Sequence, residues 1–162
     1  MKIILELVIF LFLFTLMVRL AAGNNGINVL YFYPREFQEK AYALHLADKE
    51  NVARERRSFM IIFLLVLTTT LIVFIHINKP QNFIQAYWQV LFFLEIMNWY
   101  DGIVIDRIWV GNRPLWITPG MEGVPYLQSW KQVLNKRIRL SIIWVFLAPV
   151  IVGLVMLTGG IK

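Results

Sequence analysis

The chain reads as an all-α integral membrane protein: four transmembrane helices, an additional cytoplasmic amphipathic helix, and an ordered loop between spans three and four. Three observations predict that class. Hydrophobic residues make up 59% of the 162 and charged residues only 16%, with a mean hydropathy of +0.63, more apolar surface than a soluble core of this size can hide. Apolar runs near the roughly 20 residues needed to cross ~30 Å of hydrocarbon as a helix recur along the chain. Lys and Arg concentrate between those runs.

Residues 3–22 form the first run. Lys2 ahead of it, and Ala21, Ala22 and Gly23 after it, imitate a cleavable leader, but the run is long and carries Glu6 and Arg19. An uncleaved span is expected. Gly23, Asn24, Asn25 and Gly26 then break the helix, and Pro34 suits the first turn of the next one because it lacks only an N–H that would be unpaired there. Residues 35–57 are charged and rich in helix formers, with Phe37, Ala41, Leu44 and Val52 near one stripe. They predict a solvated amphipathic helix that either lies on the membrane surface or runs straight into span two.

Span two covers 59–77. Its Thr68, Thr69 and Thr70 can bond back to carbonyls of their own helix, and residues 78–82 make a tight turn into span three, so the two spans form an antiparallel hairpin. Span three covers about 83–106, its apolar run continuing to about Val110 before Gly111, Asn112, Arg113 and Pro114 end it. A loop of Pro, Gly, Trp and Tyr follows over about 112–129, a composition suited to the headgroup level. Ser129 is placed to cap the last helix. That helix passes through a basic stretch into span four, about 140–157, with Pro149 as a kink.

The two long linkers, 23–58 and 107–139, hold six Lys or Arg each, against three in the remaining ends and turn. This places the linkers in the cytoplasm and both termini outside an inner (plasma) membrane. With no cysteine and two histidines, disulfides, thiolate chemistry and Cys-ligated metals are excluded. The net charge of +6 is assigned to orientation and to anionic lipid headgroups, not to nucleic acid. No cofactor is expected. Four spans enclose little interior, so a homo-oligomer or a larger membrane complex is expected.

The chemistry-bearing residues lie in and around span three. Acidic groups inside a bilayer are costly and mark ion or solute paths. At ~1.5 Å per residue Glu95 lies roughly 18 Å into the hydrocarbon, Asn98 about 22 Å and Asp101 about 27 Å, with Asp106 emerging beyond. At about 100° per residue Glu95 and Asp106 share a face with Gly102, while Asp101 is turned roughly 120° from Glu95. Arg19 of span one reaches the depth of Asn98 and Asp101 and is expected to pair with Asp101. The candidate site is therefore Glu95, Asn98, Asp101, Asp106 and Arg19.

The leading expectation is a protein handling an ion or small polar solute through Glu95, more consistent with a non-catalytic than a catalytic role. An accessory or scaffold subunit of a larger complex is the alternative. A third reading draws on two partial likenesses. The segment DGIVIDR at 101–107 resembles the opening of the signature of membrane phosphotransferases acting on CDP-alcohols, without its Ala-Arg pair and downstream Gly and Asp residues. Asn98, Asp101 and Asp106 resemble the Asn/Asp-rich motifs of membrane prenyltransferases, without their spacing or second motif. Both imply a metal-dependent lipid-modifying enzyme with a divalent cation at Asp101 and Asp106.

Overall fold

A computed structural model describes residues 2–23, 26–112 and 116–160. The expected break at Asn24 and Asn25, and the stop at Arg113 and Pro114, lie outside the described residues. Everything regular that is described is helical: α1 (Lys2–Ala22), a 3-10 segment (Ile27–Phe32), α2 (Arg35–Ala43), α3 (Lys49–Asn78), α4 (Phe83–Tyr100), a π-helix (Asp101–Trp109), the short α5 (Val110–Asn112) and α6 (Trp130–Leu157).

Three of these helices, α1, α3 and α6, are long and apolar enough to cross a membrane, with mean hydropathies of 2.6 to 2.7 in their most apolar stretches. Only 22 to 28% of the residues in those stretches are buried. The outward faces, such as Ile4, Leu5, Val8 and Phe12 on α1 or Ile142, Phe146 and Val150 on α6, stay exposed, as surfaces solvated by lipid do. Expected span three falls on α4 and its π continuation, which are not among those three helices. It lies against α1, α3 and α6 and packs most extensively on α6.

Side-chain contacts fix how the helices run. Lys2 Nζ donates to Ile77 O at 2.8 Å and Asn78 Nδ2 to Glu6 Oε2 at 2.7 Å, so the start of α1 meets the end of α3. His76 Nε2 lies 3.4 Å from Thr158 Oγ1, bringing the end of α6 to the same place. At that end Lys79 closes α3 in the left-handed conformation (φ 50°) and Asn82 Oδ1 caps α4 by accepting from Gln85 N. This is the tight turn and antiparallel hairpin read from 78–82. Thr70 Oγ1 bonds back to Val66 O at 2.7 Å, as the threonine run implied.

The charged stretch departs from both expected versions. Neither one helix over 35–57 nor a continuous helix into span two forms. The chain breaks at His45, which takes a positive φ of 55° while its N–H bonds Tyr42 O and the Leu46 N–H bonds Ala41 O. That double closure is a Schellman motif with histidine where glycine is usual. Asp48 Oδ2 then accepts from Asn51 N at 3.0 Å and starts α3 as its N-cap, inside the stretch expected to be unbroken helix. The charged residues from Lys49 onward thus belong to the same helix as the second apolar run.

The interior has two halves. Toward the Lys79 end, Phe10, Phe74 and Phe93 meet with ring centroids 5.3 to 6.4 Å apart and fill the space between α1, α3 and α4. Toward the other end the 3-10 segment, α2 and the loop from Trp116 to Gln128 fold over the helices. Tyr33 stacks on Phe37 and both meet Tyr126, Trp116 and Met121 are buried, and Gln128 Nε2 donates to Phe32 O at 3.1 Å. Burial pushes the Tyr33 phenol well above its ordinary pKa, which keeps its hydroxyl a donor to Trp116 O. Ser129 caps α6 in a full capping box with Gln132, and α6 continues through Pro149.

Candidate functional site

The centre of polar chemistry is Arg137 on α6. Its side chain is 1% exposed, and burial of a guanidinium is tolerated only where its N–H groups are met. Nη1 donates to Asp101 Oδ2 at 2.6 Å and to Asn98 O at 3.2 Å, and Nη2 donates to Asp106 Oδ2 at 2.5 Å. Lys136 Nζ adds a bond to the same Asp106 oxygen at 3.2 Å. Two carboxylates and two cations leave the cluster neutral. Asn98, buried to 2% exposure, ties the backbones together by donating to Arg137 O at 3.0 Å and to Ser141 Oγ at 3.1 Å. Ser141 Oγ donates in turn to Glu95 Oε2 at 2.6 Å.

The π-helix explains why Asp101 and Asp106 act together. At about 100° per residue an α-helix would turn residues five apart roughly 140° from each other, whereas i→i+5 bonding returns them to nearly the same side. The Val110 N–H bonds Ile105 O five residues back, and both carboxylates reach one guanidinium. Gly102 lets that guanidinium approach: a Cβ there would lie 2.8 Å from Arg137 Nε and 3.0 Å from its Cδ and Cγ. Arg107 points elsewhere, donating to Gln128 O at 2.7 Å with its guanidinium 4.5 Å from the Trp130 ring centroid.

Beside the cluster lies a cavity of about 270 Å³. Its apolar wall includes Phe14, Val18, Phe63, Met97, Leu140 and Trp144, its cover Trp116, Tyr126 and Gln128, and its polar end Asn98, Asp101, Asp106, Lys136 and Arg137. Asp101 and Asp106 side chains are 23% and 21% exposed and Lys136 32%, so this end is reachable. Exposed Phe32 and Met60 mark the mouth. Three buried donors among the cavity residues, Trp116 Nε1, Trp144 Nε1 and Arg137 Nε, have no acceptor among the described residues.

Among the expected site residues, Asn98, Asp101 and Asp106 come together. Glu95 faces the same stripe of α6, through Ser141, but is not part of the cavity wall. Arg19 is exposed and donates to Gly23 O at 2.8 Å. The cation paired with Asp101 is Arg137, not Arg19. Arg137 was missed because its position, at the basic approach to span four, reads as a positive-inside charge. The available signal was its spacing to Ser141, which puts both on one face of α6 opposite span three. Among the described residues no three His, Asp or Glu side chains converge as a metal site; the two aspartates converge on Arg137. Comparison with protein-family models, curated proteins and solved structures finds no match.

Proposed function

We propose that this is a four-span membrane protein that binds a solute in the cavity between α1, α3, α4 and α6, with Asp101 and Asp106 as the carboxylates that meet it. In this topology α4 and its π continuation form the third span. The loop of residues 116–129 and the elbow between α2 and α3 lie in the cytoplasm, as the distribution of Lys and Arg supports. The observation that carries the reading is one cavity with an apolar wall and a charged end. Carboxylates buried only to stiffen the fold would be enclosed; these keep a face open to a space large enough for a ligand. Glu95, bonded to Ser141 behind that wall, then supports Asn98 and the register of α4 on α6.

Purification in mild detergent followed by mass spectrometry of retained compounds tests this. Wild type should carry a compound that the Leu140→Trp variant, whose indole fills the cavity, does not. Equal yields of every compound from the two proteins would end the reading.

A further inference from the structure

The cavity wall carries information on the chemistry of the solute it would take. Charge is the first constraint. Asp101, Asp106, Arg137 and Lys136 already balance one another through bonds of 2.5 to 3.2 Å, so an ionic headgroup brought among them would leave one uncompensated charge in a low-dielectric site. Hydrogen-bonding capacity is the second. Among the described residues the ion pairs and hydrogen bonds of both aspartates run through Oδ2, which leaves each Oδ1 to accept from a ligand donor, and Lys136 has two further N–H groups to give. A hydroxyl matches both. Trp116 and Trp144 form the next part of the wall, their ring N–H groups buried and without an acceptor among the described residues. The remaining wall is Phe, Val, Leu and Met, and an apolar cavity of about 150 Å³ already admits a benzene ring, so about 270 Å³ takes the first part of an acyl chain.

Resting on the solute-binding reading above, we infer that the ligand is a neutral glyceride, an acylglycerol with at least one free hydroxyl, seated with that hydroxyl at Asp101 and Asp106 and its chain among Phe14, Phe63 and Met97. The chain's distal part leaves through the mouth at Phe32 and Met60.

The test uses the whole chain in neutral detergent and native mass spectrometry, with 1-oleoylglycerol and 1,2-dioleoylglycerol as probes. Oleic acid, oleylamine and dioleoyl phosphatidate serve as charged counterparts. Wild type should bind a glyceride at least about tenfold more tightly than any charged counterpart, because an unpaired buried charge costs more than that factor represents. Leu140→Trp should abolish binding. Lys136→Gln, at a partly exposed position, leaves the cluster with one negative charge and should turn the preference toward oleylamine. A charged lipid bound by wild type as well as the glyceride, and lost in Leu140→Trp, overturns the neutral headgroup while leaving the solute cavity standing. Absence of binding by any of the five lipids, or binding untouched by Leu140→Trp, overturns the glyceride altogether. The retained-compound experiment then judges the cavity reading independently.

Discussion

At Arg137, a single side chain joins the second half of α4 and its π continuation to α6, and its removal should be felt at once. Arg137→Met leaves Asp101 and Asp106 facing each other without their principal cation, an arrangement that costs about 3 kcal/mol or more where the pair is buried. A large drop in thermal midpoint in detergent is expected, and replacing both aspartates by asparagine in the same protein should recover much of it. Gly102→Ala tests the geometry more gently. Its methyl must displace the Arg137 stem, a cost of about 1 to 3 kcal/mol by comparison with overpacked cores. That cost should shrink in the Arg137→Met background, where the flexible thioether yields. Equal penalties in both backgrounds would show that Gly102 does not serve the guanidinium. The sequence displayed the acidic half of this arrangement openly, since carboxylates in an apolar run stand out. It hid the basic half, since Arg137 sits among Lys131, Lys136 and Arg139, and a basic cluster next to a span has an ordinary explanation in topology.

Elements show the same division between what local pattern carries and what packing decides. The cap at Ser129, with Gln132 three residues on, was readable because it is a local signal whose geometry follows from short-range chemistry, whereas Asp48 went unread inside a run of helix formers. The π-helix was not readable either. Residues 101–109 have the apolar content of any helix, and the wider turn forms where two carboxylates must converge on one partner, a tertiary demand with no sequence period of its own. This is why the angular reading separated Asp101 from its true neighbours. Deleting Ile108, which keeps Asp101 and Asp106 five residues apart, should convert the segment toward α-helical winding and turn the two carboxylates roughly 140° from each other. The expected results are a lowered thermal midpoint and a loss of the additional destabilisation that Asp106→Asn causes in wild type. An unchanged midpoint would mean that the π winding is incidental to the ion pairs. Likewise the break at His45 depends on a left-handed histidine that nothing in the run of helix formers announces.

For the molecule as a whole, the all-helical class and three helices long and apolar enough to cross a membrane were legible because they rest on composition and segment length. The exact number of crossings was not, because α4 mixes Gln85, Gln89, Glu95 and Asn98 with its apolar residues, and the partners that make the last two tolerable lie on α6. Since the chain lacks cysteine, single cysteines report sidedness cleanly. Gln81→Cys and Glu122→Cys, both at exposed positions, should react with a membrane-impermeant maleimide from opposite faces, Gln81 from outside intact cells and Glu122 only after the membrane is opened. Labelling of both from the same side would refute four crossings. The three rings of Phe10, Phe74 and Phe93 carry a different consequence. On the proposed solute-binding reading, a vessel sealed at its base by these rings would fill and empty through the mouth at Phe32 and Met60, and the rate of exchange would be set by the cover of Trp116, Tyr126 and Gln128.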